Sequence, residues 1–109
     1  MTLSTHVLDA TTGRPAAGVL VRLERSVGDG WSPEGEGRTG PDGRLRLPDE
    51  AAASAGVYRI TFGSGAYFAA RGSASFYPEV TVTFEVTGPG HYHVPLLLSP
   101  YAYSTYRGS

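Results

Sequence analysis

The sequence predicts an all-β domain, a sandwich or small barrel. Three observations carry that prediction. Fifteen glycines and eight prolines interrupt the 109 residues at short intervals, which suits many short strands joined by tight turns. Apolar and polar residues alternate with a period of two through most of the intervening segments. Counting those segments gives seven or eight strands at a spacing of about 8–12 residues, the rhythm of a sandwich.

Taken in order, Thr2–Asp9 reads as the first strand, with Leu3 and Val7 opposite His6, and Thr12-Gly13-Arg14-Pro15 as the turn that ends it. Val19, Val21 and Leu23 alternate with Leu20, Arg22 and Glu24, as in a sheet with one wet face. Gly28-Asp29-Gly30 turns into Trp31, and Ser32–Gly40 reads as a short edge strand. Pro41-Asp42-Gly43 is a hairpin signal, with Asp-Gly supplying positive-φ positions. Leu45 and Leu47 lead into Asp49–Ala55, a loop or single helical turn.

Val57–Phe62 is a strand with Tyr58, Ile60 and Phe62 on one face. Ser64–Arg71 alone has helix character: Ser64 as cap, Ala69 and Ala70 as helix formers, Gly72 as stop. Val80–Val86 alternates cleanly, Gly88-Pro89-Gly90 turns it back, and His91–Leu98 is the expected hairpin partner. After Ser99-Pro100, Tyr101–Tyr106 forms a last strand. The length fits one domain spanning 1–109, with no repeat or linker.

Composition narrows the chemistry. Nine basic and ten acidic residues leave a net charge of -1, against a nucleic-acid or polybasic membrane-surface protein. All nine basic residues are arginine, so a Schiff-base lysine and a phosphate-loop lysine are excluded. There is no cysteine, hence no disulfide, thiolate nucleophile or zinc-thiolate site. No apolar run approaches the ~20 residues of a membrane span, and the first ten residues lack the features of a signal peptide. A cytoplasmic protein is expected.

Only His6, His91 and His93 ordinarily titrate near neutral pH. His91 and His93 stand two apart on a strand, on one face, some 6–7 Å from each other, while Tyr92, Val94, Leu96 and Leu98 hold the other parity. Three readings compete. The pair could be hydrated strand-flank residues; with His6 it could form a three-nitrogen metal site; or it could serve acid–base catalysis without metal. Arg44, just after the Asp42-Gly43 turn, is an exposed arginine or a fixed fork of donors aimed at a carbonyl or carboxylate. Asp9 could orient a histidine, but capping the next turn is the simpler role. The end of the chain is unusual: three tyrosines in Tyr101–Tyr106 precede Arg107-Gly108-Ser109, where a fraying tail is the norm.

Several segments together resemble the transthyretin-related proteins. They are Ser4–Asp9 with Gly13–Ala16, Thr39–Arg44, Phe76–Val80, His91–Pro100, and above all the terminal Tyr106-Arg107-Gly108-Ser109. That tetrapeptide is similar to the signature of the family's hydrolase branch, which the hormone carriers lack. The resemblance implies a transthyretin-like two-sheet antiparallel β-sandwich of about eight strands with one short helix. It also implies a homotetramer, a dimer of dimers, with active sites in a channel at the dimer–dimer interface. The implied reaction is hydrolysis of 5-hydroxyisourate, a purine-derived small molecule, by water and without metal, cofactor or covalent intermediate. Carried over by position, His6, Arg44, His93 and Ser109 are the expected catalytic residues, and Tyr106, Arg107 and Gly108 the expected substrate-binding ones.

Those residue types suit the reaction. An imidazole can take the proton of an attacking water, typically worth ~10²–10⁴ in rate. A guanidinium can hold charge developing on a carbonyl oxygen, where losing one such donor costs ~10²–10³. The sequence does not choose between His6 and His93 as base. A channel carrier of aromatic ligands and a zinc hydrolase using His6, His91 and His93 are the rival expectations.

Overall fold

In the computed structural model, which describes residues 2–47 and 54–109, two β-sheets face each other across an apolar core. The first sheet is built around β1 (Thr2–Asp9). One edge of β1 takes β2 (Arg14–Pro15) and β5 (Arg44–Leu47); the other takes β8 (His91–His93) and β9 (Leu96–Ser99), with β10 (Ala102–Thr105) outside β9. The second sheet has the order β4-β3-β6-β7, from β4 (Gly30–Arg38), β3 (Leu20–Val27), β6 (Gly56–Phe62) and β7 (Val80–Val86). The short helix α1 (Ser64–Ala69) follows β6.

Strand alternation decides what is inside. Leu3, Thr5, Val7 and Asp9 of β1 are buried, while Ser4 and His6 between them are only half-buried. Tyr58, Ile60 and Phe62 of β6, Val21 and Leu23 of β3, and Leu96 and Leu98 of β9 meet them in the middle. Burying one such aliphatic or aromatic side chain stabilises the fold by about 1.5–3 kcal/mol. The face left over on β1 carries the polar chemistry.

The structure refines several expectations. The segment after Gly88-Pro89-Gly90 does not hairpin onto β7, which pairs only with β6. It crosses to the first sheet and runs parallel to β1, placing Thr2 beside His91, Ser4 beside His93, and Val7 beside Leu96. The Tyr92 hydroxyl accepts the N–H groups of Thr87 and Gly88 at 3.3 Å and donates to the Gly88 carbonyl at 3.1 Å. A side chain thus satisfies the turn that a hairpin ladder would otherwise close. The sandwich is antiparallel everywhere else.

The partner offset along β1 is 89 in both halves, 93 − 4 and 96 − 7. β8 and β9 are therefore one strand interrupted at Pro95, which has no N–H to give the ladder. Joined, and with the two-residue β2 set aside, the ten segments become the expected eight.

Ser64 is the first helical residue rather than the cap. Gly63 occupies the cap without a side-chain hydrogen bond, and Ser64 Oγ donates to the Tyr77 carbonyl at 3.2 Å. The helix proper stops at Ala69, two residues short of the expected end, and Gly72 follows at φ 69°. The edge strand expected over Ser32–Gly40 is an edge strand, but it begins at Gly30 and runs nine residues. Asp9 does serve its turn, accepting the Thr11 N–H at 2.9 Å, and its other oxygen accepts from the Tyr67 hydroxyl at 2.9 Å. Residues 49–53 of the expected Asp49–Ala55 loop lie outside the described residues.

Candidate active site

The site grows from the outer face of β1. Thr2, Ser4 and His6 share that face, because i and i+2 residues of a strand point the same way. Cross-strand partners then fall beside them. On one side His6 stands opposite Arg44 and Ser4 opposite Arg46. On the other, Ser4 stands beside His93 and Thr2 beside His91. Paired residues 89 positions apart in the chain thus join one patch.

Arg44 reaches its place through the Pro41-Asp42-Gly43 turn. Gly43 alone takes a positive φ, 76°, so the expectation that Asp42 would share it is corrected. Asp42 instead accepts the Arg44 N–H at 3.0 Å through Oδ1, an Asx-type turn that needs no left-handed residue. Nor does the turn join a hairpin, since β5 pairs with β1 rather than β4. The Gly43 carbonyl accepts the Val7 N–H at 2.8 Å, and a Cβ there would lie 2.4 Å from the Val7 oxygen. Only glycine lets the turn approach β1 this closely.

The two neighbouring imidazoles are nearly parallel, with ring centres 6.4 Å apart and 17° between planes. The Ser4 hydroxyl lies between them, 2.8 Å from His93 Nδ1 and 2.9 Å from His91 Nε2, and the Thr2 hydroxyl contacts His91 Nδ1. A cleft of about 260 Å³ opens here, lined by Ser4, Arg44, Arg46, His91, His93 and Ser109. Burial holds the His93 imidazole below its ordinary titration range. A hydrogen bond to the Ser4 main chain opposes this, while His91, Arg44 and His6 reinforce it by like charge. His93 is therefore neutral at pH 7, with a ring nitrogen available as a base.

The C-terminal tail completes the patch. The Gly108 N–H donates to the His93 carbonyl at 2.9 Å, forming an antiparallel bridge. A Cβ on Gly108 would sit 2.4 Å from His93 Cδ2 and 3.2 Å from Pro95 Cγ, so the tail lies directly against the imidazole. Ser109 lines the cleft just described, whereas Tyr106 and Arg107 line a second, largely apolar cleft of about 250 Å³ beside Val82, Phe84 and Tyr92, which His93 also borders.

Of the expected residues, Arg44, His93 and Ser109 line one cleft, and His6 adjoins it opposite Arg44. Sequence reasoning missed Ser4 and Arg46. Both share the parity of an identified residue, Ser4 that of His6 and Arg46 that of Arg44, and that was the available signal. Among the described residues no three histidine or carboxylate side chains converge as a metal site. The most voluminous cleft, about 760 Å³ on the outer face of the second sheet, holds the ion pairs Arg59–Glu24 at 2.8 Å and Arg22–Glu79 at 3.7 Å, and no histidine.

The profile of the HIUase/Transthyretin family matches residues 3–108. A Salmonella typhimurium protein named 5-hydroxyisourate hydrolase is 50% identical over 109 residues, covering 98% of this chain and 80% of that one. The solved structure of Klebsiella pneumoniae 5-hydroxyisourate hydrolase superposes with a TM-score of 0.89 at 39% identity over 100% of both chains. Sea bream transthyretin in complex with thyroxine gives a TM-score of 0.91 at 35% identity, covering 97% of this chain and 93% of that one. The backbone is thus common to a protein named a hydrolase and to one solved with thyroxine bound, so the fold alone does not choose between catalysis and binding.

Proposed function

The chain belongs to the HIUase/Transthyretin family, and we propose that it hydrolyses 5-hydroxyisourate, opening the lactam ring in urate degradation. The observation that carries this reading is the gathering of His6, Arg44, His93 and Ser109 on the outer face of β1, with a neutral imidazole and a guanidinium on the same face.

This geometry supports the following roles. His93 Nδ1 is engaged by Ser4, which leaves Nε2 to take the proton of the attacking water. In that tautomer Nδ1–H donates to Ser4 Oγ, Ser4 donates to His91 Nε2, and His91 Nδ1–H donates to Thr2. The Nδ1–H of each ring and the Ser4 hydroxyl then meet an acceptor, so both rings are held in one orientation. Water adds to the lactam carbonyl carbon and its proton passes to His93. Arg44 stabilises the negative charge on the carbonyl oxygen, and Ser109 orients the water. As the carbon–nitrogen bond breaks, protonated His6 gives its proton to the departing nitrogen, and exchange with solvent water then carries the proton held by His93 away and restores that of His6. No group beyond these side chains and water enters the balance.

The active assembly is a homotetramer, a dimer of dimers with the clefts facing the channel between dimers. What supports it is an apolar surface that one chain leaves bare: Phe76 is 72% exposed, Tyr106 60%, Tyr103 42% and Leu97 37%, beside the unpaired outer edge of β10. Free edges and patches of this kind are ordinarily covered. Among the described residues no helix is long and apolar enough to cross a membrane, and the reading places the enzyme in the cytoplasm.

The test is the decay of 5-hydroxyisourate generated in place by urate oxidase, followed with wild type and His93→Ala. Acceleration by wild type alone is expected. A folded wild type that leaves the decay unchanged overturns the hydrolase reading and favours the carrier, whose signature is tight aromatic-ligand binding without turnover. Sedimentation at working concentration checks assembly, a monomeric mass being the adverse result.

A further inference from the structure

The strand β8 that carries His93 is paired on one edge only, by β1. Its other edge would stand open at the catalytic residue. The tail closes it, through the single bridge between Gly108 and His93. Paired residues of adjacent strands point to the same face of a sheet, so Gly108 faces with His93 and Arg107 faces the opposite way, with Tyr92. The contacts follow that parity. The Arg107 guanidinium lies over the Tyr92 ring, 4.9 Å from its centre, and Tyr92 is itself 6% exposed and fixed by its three hydroxyl hydrogen bonds. Two residues before Arg107, Thr105 Oγ1 donates to the Pro95 carbonyl at 2.7 Å, at the break between β8 and β9.

From this arrangement we propose that Arg107 and Gly108 are positioning residues, a latch anchored on Tyr92 that seats the tail against His93, and that Arg107 contacts no substrate. Arg107 grips the rigid ring on the inner side of β8. Gly108, having no side chain, lies flat on the imidazole and carries Ser109 into the cleft. With the latch closed, His93 is shielded from water on its open side and its ring is trapped between Gly108 and Ser4. The inference rests on the hydrolase reading for its kinetic arm alone.

The experiment compares wild type, Arg107→Gln, Arg107→Lys and Tyr92→Phe by amide hydrogen exchange at Gly108, NMR titration of His93, and steady-state kinetics. A cation over an aromatic face shifts an equilibrium by roughly three- to thirty-fold. Arg107→Gln should therefore lower Gly108 protection by about that factor and move the His93 titration upward, toward the ordinary imidazole value, as water reaches the ring. Arg107→Lys, which keeps the cation, should retain most of the protection, whereas Tyr92→Phe keeps the ring but frees it from the Thr87–Gly88 turn and should lose part of it. The kinetic expectation is a lower kcat at nearly constant KM. Unchanged Gly108 protection in Arg107→Gln, or a raised KM at unchanged kcat, overturns the latch and returns Arg107 to substrate binding. Should wild type show no hydrolysis, the hydrolase reading fails while exchange and titration still decide the latch.

Discussion

Replacing Gly108 by alanine tests the site with a single methyl group. The added Cβ would lie 2.4 Å from His93 Cδ2, where ordinary contact begins at 3.4 Å, so the ring or the tail must yield by 1.0 Å (3.4 − 2.4). The backbone itself offers no objection, because Gly108 is not among the glycines with positive φ. The ring cannot turn away freely either. Its Nδ1 is 2.8 Å from Ser4 Oγ, and a further ångström would end that hydrogen bond. A misplacement of about 1 Å in a catalytic group can cost roughly 100-fold in rate, and that is the loss in kcat expected for Gly108→Ala. Stability should hold, since Gly→Ala at a compatible backbone stabilises by about 0.4–1 kcal/mol through the unfolded chain. Initial rates of 5-hydroxyisourate decay, alongside a thermal melt, give the two numbers. A folded variant within twofold of wild-type kcat would refute the reasoning, because the tail could not then be resting on the His93 ring.

Three further outcomes are expected. With its pKa held below the ordinary ~6.5 by burial and cationic neighbours, His93 should keep kcat/KM on its plateau down to that pH, with the acid limb below it. The same depression makes the unfolded chain the better proton acceptor. His93's contribution to stability is thus full above ~6.5 and declines as pH falls toward the folded-state value, a slope that denaturant midpoints across pH should show and His93→Gln should flatten. Gly43→Ala forces a left-handed φ of 76° on a residue with a Cβ and drives it into the Val7 carbonyl; a loss of at least about 2 kcal/mol is expected, and an unaltered urea midpoint would count against the described turn. Arg44→Lys keeps the charge but loses the planar fork, so kcat should fall by about 10- to 100-fold with folding intact; turnover near wild type would deny Arg44 an oriented role.

Much of this architecture was legible because side-chain parity is written into a strand. Leu3, Thr5, Val7 and Asp9 point inward and Ser4 and His6 outward, just as alternation about Val7 requires, and the inward set of β6 was visible in Tyr58, Ile60 and Phe62 for the same reason. Alternation gives the face of a residue but not the neighbour of its strand. That is why His91–His93 was expected beside β7 although it lies beside β1: the pairing that places it joins Thr2 to His91 and Ser4 to His93, residues 89 positions apart. Ser64 failed as a cap by one position, the ordinary uncertainty at a helix end. Ser4 escaped notice because serine has no titration or charge to draw attention; its importance arises only when β8 brings two imidazoles to either side of one hydroxyl. Arg107 and Gly108 were visible as a motif, but the division between them, one residue on each face of β8, depends on a single backbone bridge.

The β1 face also bears on the choice between catalysis and carriage. A carrier of aromatic ligands needs an apolar channel wall, and its ligand must leave as it entered. Here the wall carries Arg44, Arg46, His91 and His93, and among the described residues no aspartate or glutamate side chain lines the cleft. The nearest acid to Arg44, Asp42, is 4.0 Å from Nε and both side chains are well exposed, so the pair does little to cancel the field. A cleft of that charge attracts a ligand that is already anionic, and it stabilises still more a ligand whose negative charge grows as bonds change. The second effect accelerates a reaction, whereas the first only fills a site. An uncharged His93 adds the remaining requirement, a proton acceptor that does not first have to lose a proton of its own. Cations and a neutral base on one face are of little use to a protein that only binds, and they suit the opening of a lactam by water.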